Sequence, residues 1–455
     1  MRASSANGHG ACLLAVALLT MGCGGGGAPG AANDAGVTEA GDAGGVRDAG
    51  DAETGAPDGP MRPYRLGSGG VQLIVSGPDL GLQMTPANLA TDVDVVDLHH
   101  EYYGVPWNEF AAGQAPPAVW KAKMDSIAQA ARSTGKPVFL SVSMLDGARK
   151  TRAPQAVIQN GQIQQQPWAT QCFDFANDPQ GPASKQAYLA YVAWMIDEFA
   201  PTYLNVAVEV NLFFENCPAS VAGAVDVANA AYDAAKAKNA ALVVFPSIQI
   251  DHLYGYATAS CPDASMRAQC FDANYAQIAS LKRDRFAMST YPFLPGVIEK
   301  PSALPSDWFS RGASRGHEHA VVAETGWNST AIAAQTSGGS CVTVETSTEA
   351  DEAAYLELVL ADAKAMPMDL LDWWADRDLV AAQLMTDCPC TFDTTWCTVL
   401  GEISGSPVDG GYDSYFFGQL EVKAFGTMGL RDYAGNPKAM TFAAWQSARA
   451  LPIAP

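Results

Sequence analysis

Two glutamates in this chain end short apolar runs. One is Glu324, in His319-Ala320-Val321-Val322-Ala323-Glu324-Thr325-Gly326-Trp327; the other is Glu209, in Val206-Ala207-Val208-Glu209-Val210-Asn211. A carboxylate at the end of a buried strand is costly to hold there unless something in the fold uses it. Two carboxyls whose environments push their ionisation apart can divide work, one giving a proton while the other attacks or stabilises charge. That is the chemistry of glycoside hydrolysis, which in its retaining form needs the groups about 5–5.5 Å apart. Taken singly, a Glu after a strand is as often a helix cap or an ion-pair partner; two such residues together point to catalysis more strongly than either alone. Glu101 and Glu215 are rival carboxylates set further into loops.

The elements that would position the pair alternate from residue 64 onward. Strand-like runs are expected at 71–75, 94–102, 138–144, 204–212, 241–250, 286–291, 320–324 and 370–374. Helical patterns fall at 117–133, 185–199, 221–238, 275–282, 306–312, 349–365 and 438–451. Strands alternating with helices imply a parallel sheet, and eight such units close a (β/α)8 barrel. An open doubly wound sheet would want a Gly-rich turn after its first strand; Gly67-Ser68-Gly69-Gly70 precedes the expected one. In a barrel, strands four and seven lie on opposite sides, so Glu209 and Glu324 face each other across the mouth.

Strand ends supply the rest of a candidate site. His99, His100 and Glu101 follow strand two, Asn211 follows strand four, and Tyr291 follows strand six. Trp327, Trp373 and Trp374 offer flat surfaces for sugar rings; of the adjacent pair only one can point inward, and the other should lie under the helices. His99, His100 and Glu101 lack a third partner for a metal, and none is expected. A hydrolase built on His99 or His252 is a weaker alternative, since no Gly-x-Ser-x-Gly elbow accompanies them.

Three segments carry a resemblance. Val322 to Trp327 resembles the nucleophile segment of clan A glycoside hydrolases, closest to family 53 endo-β-1,4-galactanases and family 17 β-1,3-glucanases. Ser289-Thr290-Tyr291-Pro292-Phe293 resembles the strand-six segment of family 53, and Val206 to Asn211 the acid/base segment. The resemblance implies Glu324 as nucleophile, Glu209 as acid/base, Tyr291 as the residue orienting Glu324, a polysaccharide or oligosaccharide substrate and no cofactor. Asn328 stands where family 17 usually has Pro. Val208 stands where the clan usually has the Asn that binds the sugar 2-hydroxyl, and Asn211 is the candidate to take that contact over. The same departure favours an alternative, a glycan-binding lipoprotein on a barrel that has lost catalysis.

The chain has 455 residues, a net charge of -21 and a pI near 4.5. No basic stripe is available for nucleic acid. Arg2 and a short apolar core read as an export signal over 1–22, too short to span a bilayer. Leu18-Leu19-Thr20-Met21-Gly22-Cys23 resembles a lipoprotein cleavage site, with Cys23 lipidated and the protein held to the cell envelope. Residues 23–63 are Gly, Ala and Asp in near repetition and read as a disordered tether; residues 64–455 form one domain, expected to be monomeric. Eight further cysteines in an exported chain favour disulfides. Cys261 with Cys270 would close a short loop, and Cys172 with Cys217 would join loops after successive strands; Cys341, Cys388, Cys390 and Cys397 leave their pairing open. The loops 146–184 and 380–436 show no pattern.

Overall fold

A computed structural model describes residues 60–69, 86–100, 103–256, 261, 264–293, 298–316, 319–335, 341–378 and 425–454. The signal, the tether up to residue 59, Cys23, Glu101, the expected strand at 71–75 and three of the last four cysteines lie outside them.

Its centre is a closed parallel barrel. The strands are β1 (Arg65–Ser68), β2 (Val95–His99), β3 (Val138–Ser141), β4 (Tyr203–Asn205), β5 in two halves (Val243–Phe245 and Ser247–Gln249), β6 (Phe286–Thr290), β7 (Ala320–Thr325) and β8 (Met368–Trp373). Each pairs in parallel with its sequence neighbours, and β1 closes on β8 with Arg65 opposite Leu370 and Ser68 opposite Trp373. The ring passes through the break in β5: its first half pairs with β4 and its second with β6. Pro246 sits in the break, where it has no N–H to give to a ladder.

Two boundaries differ from the sequence reading. The first strand is Arg65–Ser68, a segment with one large apolar residue. It needs no hydrophobic run because Gly67 lets the Asp372 side chain fill the interior: a Cβ there would stand 2.5 Å from Asp372 Oδ1. The fourth strand stops at Asn205 instead of running to Leu212. The Asn205 Oδ1 accepts the N–H groups of Ala207 (3.2 Å) and Ser247 (3.0 Å), tying the end of the strand to its neighbour. The chain then turns at Glu209, whose φ is 48°, into a helix over Val210–Asn216.

Val95, Phe139, Tyr203, Phe245, Ala287, Val321, Ala323 and Leu370 fill the lower interior. Two residues further along the same strands the interior turns polar: Asp97, Ser141, Asn205, Ser247, Ser289 and Asp372 are all fully buried. Helices over Ala118–Ser133, Gly181–Phe199, Val221–Lys238, Glu349–Ala365 and Thr441–Arg449 cover the outside as expected. Thr348 caps the fourth of these by accepting the Asp351 N–H at 3.3 Å, with Glu349, Asp351 and Glu352 in its first turn. The patternless loop after β3 holds a hairpin, Gln155–Gln159 with Gln162–Gln166, turned at Asn160-Gly161 with φ of 50° and 77°.

Candidate active site

Glu324 reaches the barrel interior through a bulge. Along β7, Val321 and Ala323 already face inward, so strict alternation would send Glu324 outward. The register against β6 shifts between Val322 and Glu324, so that Glu324 pairs with Ser289 and Thr325 with Thr290. A bulge re-aims one side chain in this way. Thr325 takes the outward direction, donating to Thr290 O at 2.9 Å and meeting Tyr355 Oη at 2.6 Å. Glu324 is left 5% exposed; its Oε2 accepts from Tyr291 Oη at 3.4 Å, and its Oε1 lies 3.8 Å from His99 Nδ1.

Tyr291 is itself held from below. Its backbone N–H donates to Asp251 Oδ2 at 3.2 Å, and Thr290 Oγ1 donates to Asp251 Oδ1 at 3.1 Å. Burial pushes the Asp251 carboxyl up to about 7, against the pull of His252 and these hydrogen bonds. Beneath Glu324, burial and then the charges of Asp97 and Glu324 raise Asp372 well above the carboxylate range.

Glu209 stands at the opposite rim in left-handed backbone, where a side chain other than Gly is uncommon. Its N–H donates to Ser247 Oγ at 3.0 Å. Its Oε1 accepts from Ser289 Oγ at 2.6 Å, and its Oε2 is ion-paired with Arg149 Nη2 at 3.3 Å. The helix that follows is docked on the end of β5. Asn211 donates to Gln249 O at 3.0 Å and accepts the Gln249 N–H at 2.8 Å, while Glu215 Oε2 meets His252 Nδ1 at 2.7 Å. Asn211 therefore spends both ends of its amide on main chain, in contrast to the sugar contact expected of it.

The tryptophans divide. Trp374 turns inward and lies edge-on to His99 (5.5 Å between ring centres), Tyr291 (6.2 Å) and Phe425 (5.7 Å). Trp373 turns outward and donates to Met428 O at 2.7 Å, as the alternation demands for one of the two. Trp327 is fully buried, donating to Ser347 Oγ at 2.8 Å between Phe293 and Tyr355, and it offers no face to a ligand. His100 packs on Phe199 at 4.7 Å, and burial, then His99, lowers its pKa to about 3, which keeps it neutral. Among the described residues no group of three His, Cys, Asp or Glu is placed to hold a metal. None of their helices is long and apolar enough to cross a membrane. Cys172 is joined to Cys217 and Cys261 to Cys270, the two local pairings expected.

The sequence reading gave no role to Arg149, Ser289, Asp251 or Asp372. Ser289 and Asp251 sit in segments that already stood out, at the ends of strands six and five. Arg149 lies in a loop with no periodicity, where only contact with Glu209 distinguishes it.

No known sequence family matches the chain, and no curated protein matches it. Solved structures do. A GH5_18 protein from Streptomyces cattleya, a variant in complex with Manβ1-4GlcNAc, is 11% identical; the match covers 86% of this chain and 82% of that one with a TM-score of 0.50. The exo-β-1,4-mannosidase Op5Man5 from Opitutaceae bacterium strain TAV5 is 14% identical, over 86% of this chain and 60% of that one, again with a TM-score of 0.50. The fold is therefore a (β/α)8 barrel like that of these two structures. The narrower resemblance to families 53 and 17 finds no support in these likenesses.

Proposed function

We propose that the protein is a retaining glycoside hydrolase acting on a β-linked oligosaccharide or polysaccharide, exported and attached to the cell envelope through Cys23. The reading rests on one observation: Glu209 and Glu324 reach the same barrel mouth and are bound by Ser289 on β6 and Tyr291 just past its end. Glu324 attacks the anomeric carbon as the leaving oxygen takes a proton from Glu209. Glu209 then deprotonates the water that breaks the glycosyl–enzyme ester. Tyr291 orients Glu324, and Trp374 supplies the apolar face for the sugar, beside His99. No cofactor is required. Two fold neighbours whose names refer to β-mannosides put that class on the substrate panel.

One observation favours a second reading, a non-catalytic glycan-binding lipoprotein. Glu209 is ion-paired with Arg149, and Val208 occupies the place of the usual Asn. The test is purified protein on galactan, β-1,3-glucan, mannan, xylan and Manβ1-4GlcNAc, with products followed by NMR. Release of sugar with retained anomeric configuration supports the enzyme. Glycan binding by calorimetry without turnover supports the binder, and an inverted first product would sink the nucleophile assignment.

A further inference from the structure

Arg149 is 3% exposed and, like Glu209 and Cys172, has a positive φ, here 53°. Its loop is closed on itself: Asp146 Oδ1 accepts the N–H groups of Lys150 (2.7 Å) and Thr151 (3.0 Å), and Arg149 Nη1 donates to Asp146 O at 2.8 Å. The loop is also gripped from outside. The Cys172 N–H donates to Lys150 O at 2.5 Å, the Cys217 Sγ lies 3.5 Å from that same oxygen, and Asn216 Nδ2 donates to Arg149 O at 3.2 Å. Cys217 ends the helix that Glu209 begins.

These contacts form a closed frame. It runs from Glu209 along the helix to Cys217, across the disulfide to Cys172, to Lys150, to Arg149, and back to Glu209 through the ion pair. Every joint is covalent, hydrogen-bonded or ionic, and the guanidinium fixed at one corner lies 3.3 Å from the Glu209 carboxylate. We infer that Arg149 is a positioning residue for Glu209, and that the Cys172–Cys217 disulfide holds Arg149 in place. The inference deepens the reading of Glu209 as acid/base and rests on it for its kinetic test.

The frame predicts a selective defect. A misplaced acid harms only bonds whose leaving group needs a proton. Wild type, Arg149→Met, Arg149→Lys and the Cys172→Ala/Cys217→Ala pair are compared on an oligosaccharide and on an aryl glycoside of the same sugar with an acidic phenol. On the oligosaccharide, kcat falls about 100-fold or more in Arg149→Met and in the cysteine pair, the size expected for lost proton transfer. The aryl glycoside loses far less. Arg149→Lys restores part of the loss, since it keeps charge without the planar fork. Equal losses on both substrates, or no loss, overturn the proposal. A second readout needs no turnover: carbodiimide coupling of glycine ethyl ester to Glu209, read by mass spectrometry. Coupling rises about tenfold in Arg149→Met and in the cysteine pair once the charge-assisted contact is gone. Unchanged coupling overturns the frame. Wild type that cleaves no glycan overturns the proposed function instead, and the coupling result still decides the frame.

Discussion

Ser289 and Tyr291 stand two residues apart on β6 and its end, on the same inner side, and each binds a different carboxylate: Ser289 donates to Glu209 and Tyr291 to Glu324. Two residues along a strand span about 6.6 Å. One strand thus gauges the spacing of groups that come from opposite sides of the barrel.

Glu324→Ala and Glu209→Ala each lose nearly all hydrolysis while remaining folded. For Glu209 the loss is on the order of 10²–10⁴ in kcat on natural glycosides, the usual weight of a general acid. Steady-state kinetics beside a thermal melt decide the matter; full activity in either variant refutes the pairing.

Tyr291→Phe removes the hydroxyl that meets Glu324 and leaves the ring packed on Phe425. A hydrogen bond to a charged group is worth about 1.5–3 kcal/mol, which corresponds to a fall of roughly 10- to 150-fold in kcat. KM should change little. A variant altered in KM alone would assign the hydroxyl to the sugar instead.

Trp374→Ala and Trp373→Ala separate neighbours at the end of β8. The first raises KM with a modest loss of stability. The second opens the layer beneath the helices and costs about 3–5 kcal/mol in chemical denaturation. Matching effects in both would contradict their opposite directions.

Asp251 and Asp372 are both raised by burial, so the folded chain holds protons that the unfolded chain releases above its ordinary carboxylate value. The stability this confers is complete below about pH 4 and is lost as pH rises through about 7 for Asp251. Asp251→Asn should therefore lose less melting temperature between pH 5 and pH 8 than wild type. Parallel melting curves across that range would rule the proton out.

Lys438 is a buried cation held 2.9 Å from both Glu352 and Asp378. Burial works against its charge, but the two carboxylates outweigh it and raise its pKa. Lys438→Met leaves them without their partner and costs about 3–5 kcal/mol. Urea denaturation measures this; a loss below 1 kcal/mol would deny the pairing.

The long helices were legible because each buries one face, which writes a period into the sequence. The apolar runs of β3, β6 and β7 were legible because both faces of each strand are buried, which makes the run continuous. β1 was not, because Arg65-Leu66-Gly67-Ser68 makes room for a side chain from β8 instead of burying its own. The hairpin in the loop after β3 carried a readable signal, Asn160-Gly161, one of the strongest short-range turn pairs. Counting strands brought Glu209 and Glu324 together. The directions of Asn211 and Trp327 could not be counted, since they depend on where β4 stops and how the chain leaves β7. Arg149 is fixed by contacts with residues far along the chain, which no local pattern records.

The chain enters and leaves the barrel at one place. Arg62 bridges Ile453, its N–H donating to Pro452 O at 2.9 Å and its carbonyl accepting from Ala454 at 2.8 Å. This clasp lies just ahead of β1, on the face opposite the carboxylates. Anything joined before Arg62 or after Ile453, whether natural segment, affinity tag or solid support, connects at the floor of the molecule. Attachment there leaves the end of the barrel where Glu209 and Glu324 stand on the far side from the point of attachment.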